Sequence, residues 1–155
     1  MKNCFIVVAA FAMTFSAAQC QAAAVPNFTG EWKLNLAKSD YGPIQQFAPE
    51  FMTRTVKHDD PVFQISTHQK GAAGELSTQE KYTTDGKPAE NKDSKGSAKW
   101  DGDKLVIDSV REANGAEIKT HQIWSLSADG KTLTSTNHIV VPQGEFDITY
   151  VMNKK

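Results

Sequence analysis

The side chains best equipped for acid–base or metal chemistry are four histidines, His58, His68, His121 and His138. Metal and hydrolase motifs space such residues tightly, as in His-x-His or His-Glu-x-x-His, and neither pattern occurs. Serine chemistry lacks its Gly-x-Ser-x-Gly elbow. The carboxylate pair Asp59-Asp60 precedes Pro61, the composition of a turn. Glycine-containing turns are frequent, but no helix follows them, so they do not make phosphate loops. No catalytic residue, metal set or cofactor is assigned from these features. What remains is a scattered polar set within otherwise apolar segments: Arg54, Glu80, Arg111, Gln122, Asn137 and Tyr150, with Trp124 among them. Such a mixture suits a pocket in which a few polar groups orient a small molecule against apolar walls.

Strands must position these residues. Runs rich in Val, Ile, Thr, Tyr and Trp are separated by Asp85-Gly86, Asp101-Gly102, Asn114-Gly115, Asp129-Gly130 and Gln143-Gly144. Short turns join strands that are neighbours in sequence, which predicts an all-β, up-and-down antiparallel meander of about 8–10 strands. A sheet of that size twists and curls into a barrel, which removes exposed edges. The stretch Leu36–Glu50 is irregular and has room for one short helical turn, and the polar stretch Lys87–Lys95 reads as an edge.

Turn length fixes register. The Asn114-Gly115 turn pairs Leu105 with Trp124 and Ile107 with Gln122; the Asp129-Gly130 turn pairs Gln122 with Asn137. The Gln143-Gly144 turn pairs Asn137 with Tyr150 and Ile139 with Ile148. One face then carries Leu105, Ile107, Trp124, Leu126, Leu133, Ile139 and Ile148, and a polar row Gln122, Asn137 and Tyr150 crosses it. Arg111 stands near a strand end of the same face, and Arg54 is expected to reach Glu80 across the intervening strand. Trp32, Trp100 and Trp124 would form an apolar floor. On the opposite face Asp108, His121 and His138 form a second row, followed by Thr149. Its neighbours Lys119, Thr132, Thr134, Thr136 and Asp147 mark that face as solvated, so weak surface metal binding is the most this row supports.

The chain starts with Lys2, an apolar stretch from Phe5 to Phe15, and small residues ending in Ala22-Ala23-Ala24. This is the pattern of a secretory signal peptide over 1–24, giving one domain over 25–155 and a secreted or periplasmic location. Both cysteines, Cys4 and Cys20, fall in that leader, so the domain would have neither disulfides nor thiol chemistry. The net charge is −1 over 155 residues, with no basic run, which argues against nucleic acid as a partner. No membrane span is expected after the leader.

The segment Phe28-Thr29-Gly30-Glu31-Trp32-Lys33-Leu34, followed by Asp40-Tyr41, resembles the opening of the calycins, the lipocalins and fatty-acid-binding proteins. Lys99-Trp100-Asp101-Gly102 and the meander behind it are similar to the fatty-acid-binding branch. The resemblance implies a lipocalin-like barrel that Trp32 closes at one end, and a ligand contact at Tyr150. It departs from that branch at Leu36–Glu50, too short for a helix pair, and at Ile148, where an arginine would stand. The function expected is binding of a small, mainly apolar or amphipathic molecule inside the barrel. The alternatives are a filled barrel acting through its surface, with a patch around Tyr41–Phe51, as an interaction or inhibitory module, and an enzyme using His121, His138 and Asp108 or Arg54 and Glu80.

Overall fold

The computed structural model describes residues 25–72 and 74–155, so the leader expected over 1–24 lies outside the described residues. Alternating apolar and polar residues form β1 (Gly30–Leu34), β2 (Phe51–Asp59), β3 (Val62–Gly71), β4 (Gly74–Thr83) and a two-residue β5 (Ala89–Glu90). They continue as β6 (Lys95–Asp101), β7 (Lys104–Ala113), β8 (Ala116–Leu126), β9 (Thr132–Val141) and β10 (Gly144–Lys154). All ten lie in one sheet of order β4-β3-β2-β1-β10-β9-β8-β7-β6-β5. The ladder between β1 and β10 joins the first strand of the described residues to the last. It curls the meander until β4 comes against β6, with no ladder between these two. The result is the nearly closed antiparallel barrel that the turns predict. Between β1 and β2 the chain makes one 3-10 turn, Gly42–Phe47, in place of a helix pair.

Local chemistry sets the registers. Asn114 and Gly115 both adopt positive φ, 52° and 75°, as a type I′ hairpin turn requires. Leu105 therefore faces Trp124 and Ile107 faces Gln122, and in the next hairpin Gln122 faces Asn137, all as expected. The last hairpin differs from the expectation. Its turn is Pro142-Gln143, and Gly144 pairs with Val141 inside the strand. Pro142 has no N–H to give to the ladder, so it leaves the strand and starts the turn one residue earlier, which shifts every cross-strand partner by two. The slip is two residues, so every side chain keeps its face while its partner changes. Tyr150 stands opposite Ser135, Asn137 opposite Ile148, and His138 opposite Asp147 rather than Thr149.

The core fills one end of the barrel. His58 and Phe63 flank the β2–β3 turn, Trp100 and Leu105 flank the β6–β7 turn, and Trp124 lies near the end of β8, which brings them to the same end. Phe28 plugs this end: its ring lies 5.9–6.0 Å from those of His58, Phe63, Trp100 and Trp124. The Trp32 indole donates to the Phe28 carbonyl at 2.9 Å, which fixes the plug to β1. The Phe28 N–H in turn donates to Nδ1 of buried His58 at 3.3 Å. Trp32 and Trp100 thus belong to the plug and the core, not to the floor of a pocket.

Candidate functional site

Beyond the plug, the middle of the barrel holds a cavity of about 210 Å³. Arg54, Glu80, Arg111, Gln122, Trp124, Asn137 and Tyr150 all stand on its wall, drawn from β2, β4, β7, β8, β9 and β10. Ile65, Ile139 and Ile148 supply apolar wall between them. The filled interior required by a purely surface-acting barrel is therefore confined to the plugged end. Exposed Arg111 and Asp93 line the same cavity, so its far side meets water.

The polar residues have different duties. Gln122 Oε1 accepts from the Trp124 indole at 3.0 Å and holds that ring in place. Asn137 donates to the carbonyls of Ser135 and Ile148 at 2.8 and 3.4 Å and accepts the Ser135 hydroxyl at 3.3 Å. Its hydrogen bonds are spent on its own strand pair. Glu80 Oε1 accepts the Tyr82 hydroxyl at 3.0 Å and the Ser94 hydroxyl at 3.2 Å, which ties the 91–94 segment to β4.

Arg54 stands apart. It is 9% exposed, and its Nε and Nη1 have no hydrogen-bond partner. The guanidinium carbon lies 5.1 Å from the ring centres of both Trp124 and Tyr150. The expected Arg54–Glu80 contact is not made. Thr67, not Ile65, is the partner of Arg54, whereas Glu80 pairs with Ile65, so the two are diagonal. The long arginine side chain crosses the lumen to the aromatic rings instead of running along the wall. Burial works against the Arg54 charge, while Tyr150, Glu80 and Tyr41 favour it. Burial likewise raises the Tyr150 hydroxyl above its ordinary value, opposed by Arg54 and Arg111. This wall therefore carries a desolvated cation with free donors, a feature suited to an anionic group.

The sequence does not reveal that Tyr41 meets Tyr150. Its ring packs edge-on to Tyr150 at 5.6 Å, and its hydroxyl is buried without a partner. The reversal that places it depends on Gly42, at φ 48°, where a Cβ would stand 2.8 Å from the Asp147 carbonyl oxygen. Asp40-Tyr41 figured in the calycin-like opening, and Tyr41 also as one bound of the expected surface patch Tyr41–Phe51. The only signals available were an aromatic residue before Gly-Pro and the break in alternation after Leu36. Asn91 and Ser94 also line the cavity, in a stretch whose polarity had marked it only as an edge.

On the outer face, Asp108 pairs with His121 and His121 with His138, as expected. The Nδ1 of His121 is 2.6 Å from Asp108 Oδ1, and that of His138 is 2.8 Å from Asp147 Oδ1. These groups are solvent-exposed and take no part in the cavity described above.

No protein-family model matches the chain, and no curated protein matches it. Solved structures do. The fluorescent protein UnaG is 17% identical, with a TM-score of 0.58 over 83% of this chain and 97% of its own. The zebrafish ileal bile acid-binding protein, complexed with cholic acid, is 18% identical, with a TM-score of 0.56 over 83% of this chain and 98% of its own. A mutant of the REP1-NXSQ fatty acid transporter is 14% identical, with a TM-score of 0.51 over 83% and 98%. The likeness is one of fold: the chain has the barrel architecture of these proteins, as the meander and the Gly30-x-Trp32 opening led one to expect.

Proposed function

We propose that the protein is an exported carrier that encloses one small amphipathic molecule. The acidic end of the ligand meets Arg54, and its apolar part lies against Ile65, Ile139, Ile148 and Trp124. The observation that carries this reading is the buried Arg54 guanidinium with two unpartnered nitrogens on the wall of a cavity. A buried charge without partners is costly, and a ligand carboxylate would supply the missing acceptors. The zebrafish barrel complexed with cholic acid and the fatty acid transporter support an acidic amphiphile as cargo. The resemblance places an arginine on the last strand where this chain has Ile148, so the anchor would sit on β2 instead.

Size narrows the cargo. Pockets for drug-sized ligands span roughly 300–1,000 Å³, and this cavity of about 210 Å³ is smaller. A short-chain or single-ring acid fits better than a long fatty acid. Export rests on the leader read in the sequence over 1–24.

Sodium octanoate and 1-octanol, which share a chain and differ in charge, test the assignment through quenching of tryptophan fluorescence. A charge-assisted hydrogen bond worth about 1.5–3 kcal/mol predicts a preference of roughly 10- to 100-fold for octanoate. Equal affinities, or no binding of either probe, would overturn the reading.

A further inference from the structure

The two exposed histidines of the outer face do not belong to the cavity, and the corrected β9–β10 register changes what they are. Each imidazole has its own carboxylate: His121 has Asp108 on one side, and His138 has Asp147 on the other. An ionised carboxylate only accepts hydrogen bonds, so each contact fixes the proton on Nδ1. The neutral ring then has its free lone pair on Nε2. The carboxylates flank the pair from outside, and each draws the Nδ1 edge of its ring away from the other ring.

His121 and His138 are direct cross-strand partners. Side chains so placed start from Cβ atoms about 4.5–5.5 Å apart, a separation across which two imidazoles can share one ion at about 2.0–2.1 Å each. A carboxylate on the remote ring nitrogen is the support that metal-binding histidines use, because it fixes tautomer and orientation and raises ligand basicity. Glu145 Oε2 lies 3.6 Å from His138 Nε2, within a side-chain rotation of a third ligand position. Both rings border an outer cleft of about 480 Å³ flanked by Val110, Val140 and Pro88, which leaves room for water on the remaining positions. Among the described residues no three His, Cys, Asp or Glu side chains are already gathered as a metal centre. The site is therefore a two-imidazole one.

We propose that His121 and His138 bind one divalent transition-metal ion through their Nε2 atoms, supported by Asp108 and Asp147, on the outside of the barrel. Imidazole donors select copper, nickel or zinc over magnesium or calcium, and copper binds tightest in that series. The assignment is independent of the interior cavity: octanoate binding and metal binding can each fail while the other holds.

The test is titration of the full chain with CuCl2, followed by calorimetry and electron paramagnetic resonance, with circular dichroism as a check on folding. One ion per chain with hyperfine coupling to two nitrogens is expected. His121→Ala and His138→Ala should each weaken it by roughly tenfold or more, and Asp108→Asn by about 10- to 100-fold. His68→Ala, at a surface histidine bonded to Ser77, should leave it unchanged. Copper held as tightly by folded H121A and H138A as by the wild type would overturn the site. So would sulfur coordination from Cys4 or Cys20 alone, or the absence of nitrogen-bound copper at millimolar CuCl2.

Discussion

Replacing Arg54 by methionine separates a guanidinium kept for a ligand from one kept for stability. In the free barrel Nε and Nη1 are buried without partners. Each unsatisfied donor costs about 1–3 kcal/mol, so removing both returns roughly 2–6 kcal/mol. Against this stand the two cation–π contacts at 5.1 Å, together worth about 4 kcal/mol when desolvated. Methionine keeps an unbranched stem and packs well against aromatic edges, so little packing is lost. The two sides nearly cancel, and Arg54→Met should change stability by no more than about 2 kcal/mol in either direction. Octanoate affinity should nonetheless fall by roughly 10- to 100-fold, to the level of octanol. Urea unfolding followed by circular dichroism gives the first quantity, and tryptophan quenching of the same samples gives the second. If Arg54 were part of a satisfied internal ion network, its removal would cost about 3–5 kcal/mol. A loss of that size, with octanoate binding retained in the folded fraction, would refute the reasoning.

Two further outcomes test the scaffold. Phe28→Ala removes a fully buried ring that meets four others and should cost about 3–5 kcal/mol, read as a lower urea midpoint with an unchanged slope. Asp60 accepts the Thr84 hydroxyl at 2.6 Å and the Trp100 indole at 3.0 Å. The Thr84 bond first, then the Trp100 bond, holds its carboxyl below the usual carboxylate range. A depressed folded pKa contributes stability above the unfolded value of about 3.9 and loses it as pH falls through the folded value. Asp60→Asn should therefore flatten the loss of urea midpoint between about pH 5 and pH 2, while wild-type and variant curves with the same acid slope would contradict this.

Alternation made the faces of this barrel legible before the partners were. A strand has a period of two, so Trp124, Gln122, Asn137 and Tyr150 could be assigned to the interior from turn spacing alone. The β9–β10 hairpin shows the limit of that reasoning. Moving its turn from Gln143-Gly144 to Pro142-Gln143 leaves every face intact, so facial consistency could not detect the slip. The slip still changes chemistry, because it replaces Thr149 by Asp147 beside His138.

Arg54 illustrates a different limit. Hairpin reasoning carries register only from strand to strand, and the irregular stretch Leu36–Glu50 interrupts it between β1 and β2. From the continuous side, Arg54 on β2 could be related only to β3 and β4, and Glu80 was the nearest countercharge. Its actual partners, Trp124 and Tyr150, stand on β8 and β10. Only the β1–β10 ladder, joining the first described strand to the last, brings them within reach. Local patterns can therefore say which side chains enter the lumen, but which of them meet there depends on closure. In this barrel closure brings a long cation from β2 across to two aromatic rings and leaves two of its nitrogens unpartnered, so the most chemically distinctive group of the interior arises from the step that hairpin spacing does not encode.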